Sequence, residues 1–153
     1  MDSVETYSVA WDEPGRSADD SMPLGNGDIG LNAWTEADGD LAFYIGKTDS
    51  WDEYGRLLKV GRIRVSLDPA PSGAFSQTLT VKDATMEVRW GEARLRLWVD
   101  ANHPVIQLEV NSPDPVTATL SIELWRTKRE VLPLWLSCRQ HPPRRLPSRK
   151  PSV

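Results

Sequence analysis

The feature that most constrains this chain is an alternation of apolar and polar side chains in short, separate runs. In Arg94-Leu95-Arg96-Leu97-Trp98-Val99, the residues Leu95, Leu97 and Val99 fall on one side and Arg94, Arg96 and Trp98 on the other. Only an extended strand sends successive side chains to opposite faces in this way. A strand with one dry face must bury it against a second layer, so the pattern calls for packed sheets. Met86, Val88 and Trp90 alternate likewise, and the intervening Gly91-Glu92 suits a tight hairpin between the two runs.

Further runs rich in β-branched and aromatic residues are separated by Gly, Pro, Asn and Asp. Strands are expected at 29–35, 40–45, 61–67, 75–81, 85–90, 93–99, 105–110 and 116–125, after an irregular opening through Asp20. The spacing fits an all-β fold, an antiparallel β-sandwich built largely as a meander. An apolar period of 3.6 is not sustained anywhere in residues 1–125, although 52–60 could supply one or two helical turns. A doubly wound α/β fold is thereby disfavoured.

Composition divides the chain. Residues 1–125 hold 10 Lys/Arg against 21 Asp/Glu, whereas residues 126–153 hold 8 Lys/Arg against Glu130 alone, with 5 of the 12 prolines. We read residues 1–126 as one domain, the 39% hydrophobic content of the whole chain being sufficient for a core. Residues 127–153 are expected to be a disordered, basic, Pro-rich tail. A shifted reading frame or a misassigned coding end would give the same abrupt change, and the domain would then be truncated. Cys138 has no partner for an internal disulfide and leaves the compartment open. The acidic opening lacks the basic and apolar regions of a signal peptide, and no apolar run is long enough to span a membrane as a helix.

Motifs that suggest chemistry fare poorly in context. Gly25-Asn26-Gly27-Asp28-Ile29-Gly30 formally matches a dinucleotide fingerprint, but that motif needs a strand before it and a helix after it. Here Pro23 precedes and a strand follows, so a turn is the better reading. The pairs Asp19/Asp20, Asp38/Asp40 and Asp52/Glu53 read as solvated turns, because two glycosidase carboxylates must flank a sugar from opposite sides. His103 and His141 have no companions at ligand spacing, and no serine sits in a nucleophile-elbow context. No metal, cofactor or catalytic residue is expected. The basic tail lacks the aromatic interleaving of a nucleic-acid surface. Of the seven tryptophans, Trp34, Trp90, Trp98 and Trp125 lie in expected strands and suit packing, whereas Trp51 has polar neighbours and suits a ligand-facing loop.

The segment Pro23-Leu24-Gly25-Asn26-Gly27 resembles the signature near the start of glycoside hydrolase family 95 and related proteins. A second segment, Phe43-Tyr44-Ile45-Gly46-Lys47-Thr48-Asp49-Ser50-Trp51-Asp52-Glu53, continuing through Leu57 to Val65, resembles the glycosyl-hydrolase-like domain-of-unknown-function family 5703. Together these matches cover roughly residues 7–126 in the expected strand series. The resemblance implies an N-terminal β-supersandwich, followed by a linker and an (α/α)6 barrel carrying the catalytic groups. It also implies that the parent protein is exported. Lys47 departs from family 95, which has an acidic neighbour there, so fucosidase specificity does not transfer.

These readings lead to a noncatalytic N-terminal accessory domain of a carbohydrate-active, glycoside hydrolase-like protein. Its expected partners are a carbohydrate ligand and the barrel domain. An independent carbohydrate-binding module and a structural interaction domain are the alternatives. Asn26, Asp28, Lys47, Asp49 and Trp51 are the candidates for a substrate-facing or inter-domain edge, with turn formation and packing as their competing roles.

Overall fold

The computed structural model describes residues 7–125 and Thr127, and within them ten strands pair into two antiparallel sheets. The strands are β1 (Val9–Trp11), β2 (Met22–Gly25), β3 (Ile29–Thr35), β4 (Leu41–Trp51), β5 (Leu57–Asp68), β6 (Phe75–Thr80), β7 (Thr85–Trp90), β8 (Ala93–Val99), β9 (Ile106–Asn111) and β10 (Thr117–Glu123). Sheet A has the order β1-β6-β7-β8-β9 and sheet B the order β10-β5-β4-β3-β2. Each sheet is therefore a four-strand meander with one extra strand, delivered by a connection that crosses between the layers. The antiparallel sandwich read from the sequence is the observed fold.

The alternation does the packing work. Leu95, Leu97 and Val99 of β8 and Met86 and Val88 of β7 meet Leu24, Leu31, Phe43 and Val65 from sheet B in one core. Gly91 takes a φ of +56°, the positive value that the first residue of a two-residue hairpin commonly requires, and Trp90 pairs directly with Ala93. The Thr35 hydroxyl donates to Gln77 Oε1 at 2.8 Å, a buried hydrogen bond that links the two layers.

Three expectations change. The opening is not wholly irregular, since β1 pairs with β6 and Ala18–Asp20 forms a 3-10 turn. With three residues, β1 is too short for an alternation to register. The segment Met22–Gly25 is a strand as well, and it tolerates Pro23 because β2 is the edge of sheet B. The helical turns considered for 52–60 do not form. Asp52 Oδ1 accepts from the backbone N–H groups of Tyr54 and Arg56, both at 2.9 Å, and Gly55 takes a φ of +72°. A local side-chain acceptor thus closes a turn in place of a helix, and Leu57 onward joins β5. Apart from Thr127, the tail expected over 127–153 lies outside the described residues.

Candidate functional site

The five candidates all fall at one end of sheet B, where the β2–β3 turn meets the outer half of β4. Asn26 is absorbed by the turn. Its Oδ1 accepts from the N–H groups of Asp28 and Ile29 at 3.0 and 2.8 Å, and its Nδ2 donates to the Asp100 carbonyl of the β8–β9 loop at 2.8 Å. One side chain thereby shapes the hairpin and ties it to sheet A. Gly25 is required just before it, because a Cβ there would sit 2.7 Å from the Ile29 carbonyl oxygen.

Asp28, Lys47 and Asp49 form a connected ion set. Lys47 Nζ lies 3.2 Å from Asp28 Oδ1 and 2.8 Å from Asp49 Oδ2, and the Thr48 hydroxyl donates to Asp28 Oδ1 at 2.8 Å. The Thr48 hydrogen bond, then Lys47, holds the Asp28 carboxyl below its usual range. The Asp49 and Asp28 carboxylates in turn raise Lys47. These groups face solvent, so the set orients charge at the surface and adds little to folding stability. Trp51 lies farther out. Its Nε1 donates to the Thr48 carbonyl at 2.6 Å, and the residue remains 56% exposed.

Beside this ion set runs a groove of about 570 Å³ on sheet B. Its floor is made by glycines that the register places side by side: Gly25 opposite Gly30, and Gly30 opposite Gly46. A Cβ added at Gly30 would meet nothing within 4 Å, and one at Gly46 would meet only the Gly30 carbonyl at 3.8 Å. The missing side chains are what make the surface concave. Tyr44 forms one wall, while Asp28 and Lys47 lie at the rim. The register slips between Ile45 and Gly46, so Gly46 faces Lys59 while Ile45 faces Gly61. Val60 is the extra residue of this bulge, a device that re-aims side chains at strand irregularities.

Tyr44 is held by ring contacts and by a cation that also lines the groove. Tyr44 lies 5.4 Å from Trp34 and meets Trp125 edge-on at 5.7 Å, with Lys59 Nζ 4.0 Å above its ring. Trp34 points to the outer side of sheet B yet is only 2% exposed. The chain between β1 and β2 crosses beside it, with the Gly15 N–H donating to the Thr35 carbonyl at 2.7 Å. Next to Trp34, Arg64 pairs with Glu36 at 2.8 Å, Asp40 at 3.1 Å and Glu123 at 2.9 Å, and Arg62 also pairs with Glu123. Hydrogen bonds from Arg64 hold Glu36 and Glu123 below the ordinary carboxyl range, and those acids push Arg64 further above its own.

The structure thus brings Asp28, Lys47 and Asp49 together, turns Asn26 toward the β8–β9 loop, and leaves Trp51 outside the groove. Sequence reasoning missed Tyr44, Gly30 and Gly46. The available signal was Gly30 inside the expected strand 29–35, since a glycine there marks a bulge or a place where another molecule approaches the backbone, whereas Gly46 lay just past the expected strand 40–45. Among the described residues, no three His, Cys, Asp or Glu side chains are grouped to hold a metal, and no helix is long and apolar enough to cross a membrane.

Residues 10–147 match the family described as Domain of unknown function (DUF5703), in its N-terminal part. The matched span runs past Arg126, where the sequence reading ended the resemblance. No curated protein matches the chain.

Proposed function

The chain belongs to the DUF5703 N-terminal family, and we propose that it serves as a noncatalytic accessory β-sandwich of a carbohydrate-active, glycoside hydrolase-like protein. The groove on sheet B would face the sugar. The observation that carries this reading is the groove itself: a glycine floor open to solvent, an aromatic wall at Tyr44, and a charged rim at Asp28 and Lys47. A flat apolar ring suits the C–H face of a sugar, and fixed charges beside it suit hydroxyl groups.

The electrostatics support an accessory role. Inverting hydrolysis needs one carboxyl that keeps its proton near neutrality, hence one with a raised pKa, and a second group that activates water on the opposite side. Asp28 is shifted the other way and stays ionised. Asp49 shares its cation, on the same edge, so the two carboxylates do not flank a groove from opposite sides. The acid and base would come from the barrel domain implied by the family resemblance.

Assaying the full chain against fucosides, galactosides, arabinosides and xylosides tests this. Turnover at the level of the blank is expected. Turnover above it that disappears in Asp28→Asn or Asp49→Asn would overturn the accessory reading. A second reading, an independent carbohydrate-binding module, is favoured by the exposure of Trp51 beside the exposed Tyr54 and Leu57. In that case Trp51→Ala would abolish sugar binding by the isolated chain, whereas the groove reading expects the loss from Tyr44→Ala.

A further inference from the structure

Among the described residues the two sheets have four edge strands, and three of them carry a protection against pairing with another strand. β1 has only three residues, β2 contains Pro23 and buries Met22 and Leu24, and β9 packs Ile106, Leu108 and Val110 against the core. β10 is different. It runs Thr117-Ala118-Thr119-Leu120-Ser121-Ile122-Glu123 without Pro, Gly or Lys, and it pairs with β5 alone. Ala118, Leu120 and Ile122 stand opposite Leu67, Val65 and Ile63 of β5, so they lie on the core side of sheet B. Val65 is 1% exposed, yet Leu120 is 61% and Ile122 71% exposed, because sheet A does not extend over them. An edge row of backbone donors and acceptors thus runs beside an uncovered apolar row, the combination that templates a further strand.

We propose that β10 pairs antiparallel with β10 of a second copy of this chain, about a two-fold axis at Leu120. The strand itself selects that occupant, because its sequence is complementary to its own reverse. In the register that overlaps the whole strand, Leu120 meets Leu120 of the second copy, Ala118 meets its Ile122, Thr119 its Ser121 and Thr117 its Glu123. Apolar side chains then stand opposite apolar ones on the core side, a small one against a large one. On the outer side hydroxyl meets hydroxyl, another pair that stabilises antiparallel strands. Like charges are nowhere opposed. Glu123, the only ionisable side chain of β10, faces a threonine and is already met by Arg62 and Arg64 of its own chain. A two-fold contact of this kind uses the same patch on both copies and closes at two, so it covers the edge without building a filament. It joins the two copies of sheet B into one continuous sheet, with β2 at each outer edge.

Sedimentation equilibrium of the full chain tests the proposal, with a reductant present so that Cys138 cannot link copies. A monomer–dimer equilibrium is expected between about 10 and 500 µM, because one strand buries less than a standard interface. Position 120 faces itself across the axis, which gives the contact a signature. Leu120→Lys and Leu120→Glu should each weaken association by about tenfold or more, since each sets two like charges opposite one another. An equimolar mixture of the two variants should regain a dimer of one copy of each, because the lysine then faces the glutamate. Leu120 is already exposed, so both variants should keep the sandwich, and circular dichroism checks that they do. Four results would overturn the proposal: the mass of one chain at every concentration, association unchanged in both variants, a mixture no more associated than its components, or growth beyond two copies.

Discussion

Sheet A and sheet B follow the same alternation but use their outer faces differently. Sheet A closes on itself. Its outward side chains meet along and across strands, with Glu87 bonded to Arg89 on β7 and to Arg94 on β8, and Arg96 paired with Glu109. Burial works against the Glu87 charge, and the two arginines more than offset it. Sheet B is larger than its covering layer needs. β4 and β5 run eleven and twelve residues and carry the groove at one end, and the outer face of the sheet buries Trp34 and half-buries Arg64 and Glu36. The difference teaches where function can reside: a sheet whose outer groups satisfy one another offers little to a ligand, while irregular, glycine-bearing strands leave a concave surface.

The largest effect expected is in the shared core. Leu97 is fully buried, so Leu97→Ala should cost about 3 kcal/mol in denaturant unfolding, the usual penalty for lost transfer energy plus a cavity. A smaller loss separates the sheets. Arg64→Met leaves Glu36 and Asp40 without the guanidinium they share and Glu123 with Arg62 alone, and about 1–2 kcal/mol is expected given their partial exposure. Removing Arg94 from sheet A should cost less than about 0.5 kcal/mol. If Arg94→Met proved as damaging as Arg64→Met, the contrast between the faces would fail.

Acid titration sharpens the same point. Glu36 and Glu123 have folded pKa values below their ordinary 4.5. A depressed carboxyl stabilises the fold above its unfolded value, and that stability is lost as pH falls through the folded value. The gap in stability between the native chain and Arg64→Met should therefore be full near neutrality and shrink as pH drops below about 4.5. A gap independent of pH would remove the ionic explanation. The smallest effect is a gain. Gly30→Ala and Gly46→Ala introduce methyl groups into open space and reduce backbone freedom in the unfolded chain, so each should stabilise by about 0.5 kcal/mol in thermal unfolding. A loss at either position would mean that glycine is needed there for the fold.

Much of this was legible in the residues. The runs 85–90 and 93–99 were bounded correctly because two-residue alternation and a glycine turn agree at every level. β1 was invisible because its partner β6 lies far along the chain, the outer arm of β4 was hidden by polar residues that a half-solvated hairpin does not need to alternate, and that of β5, Leu57-Leu58-Lys59-Val60, has no two-residue alternation to announce it. The ion set Asp28–Lys47–Asp49 emerged from residues singled out for a resemblance, yet the distance linking them depends on a pairing of Ile29 with Lys47 that no local pattern announces. Trp34 was read as a packing residue, which it is, but on the outer face under a crossing segment.

The proposed sugar-facing surface is the glycine-floored groove of sheet B, and not the outer face of sheet A. Amide chemical shifts of the full chain, followed during titration with fucose, galactose, arabinose and xylose, test it most directly. The account predicts perturbations that cluster at Gly30, Tyr44, Gly46 and Lys47 for at least one sugar and vanish in Gly46→Val, whose side chain would fill the groove. Shifts centred on Glu87, Arg89 and Arg94, or no perturbation of the groove by any of the four sugars, would contradict it.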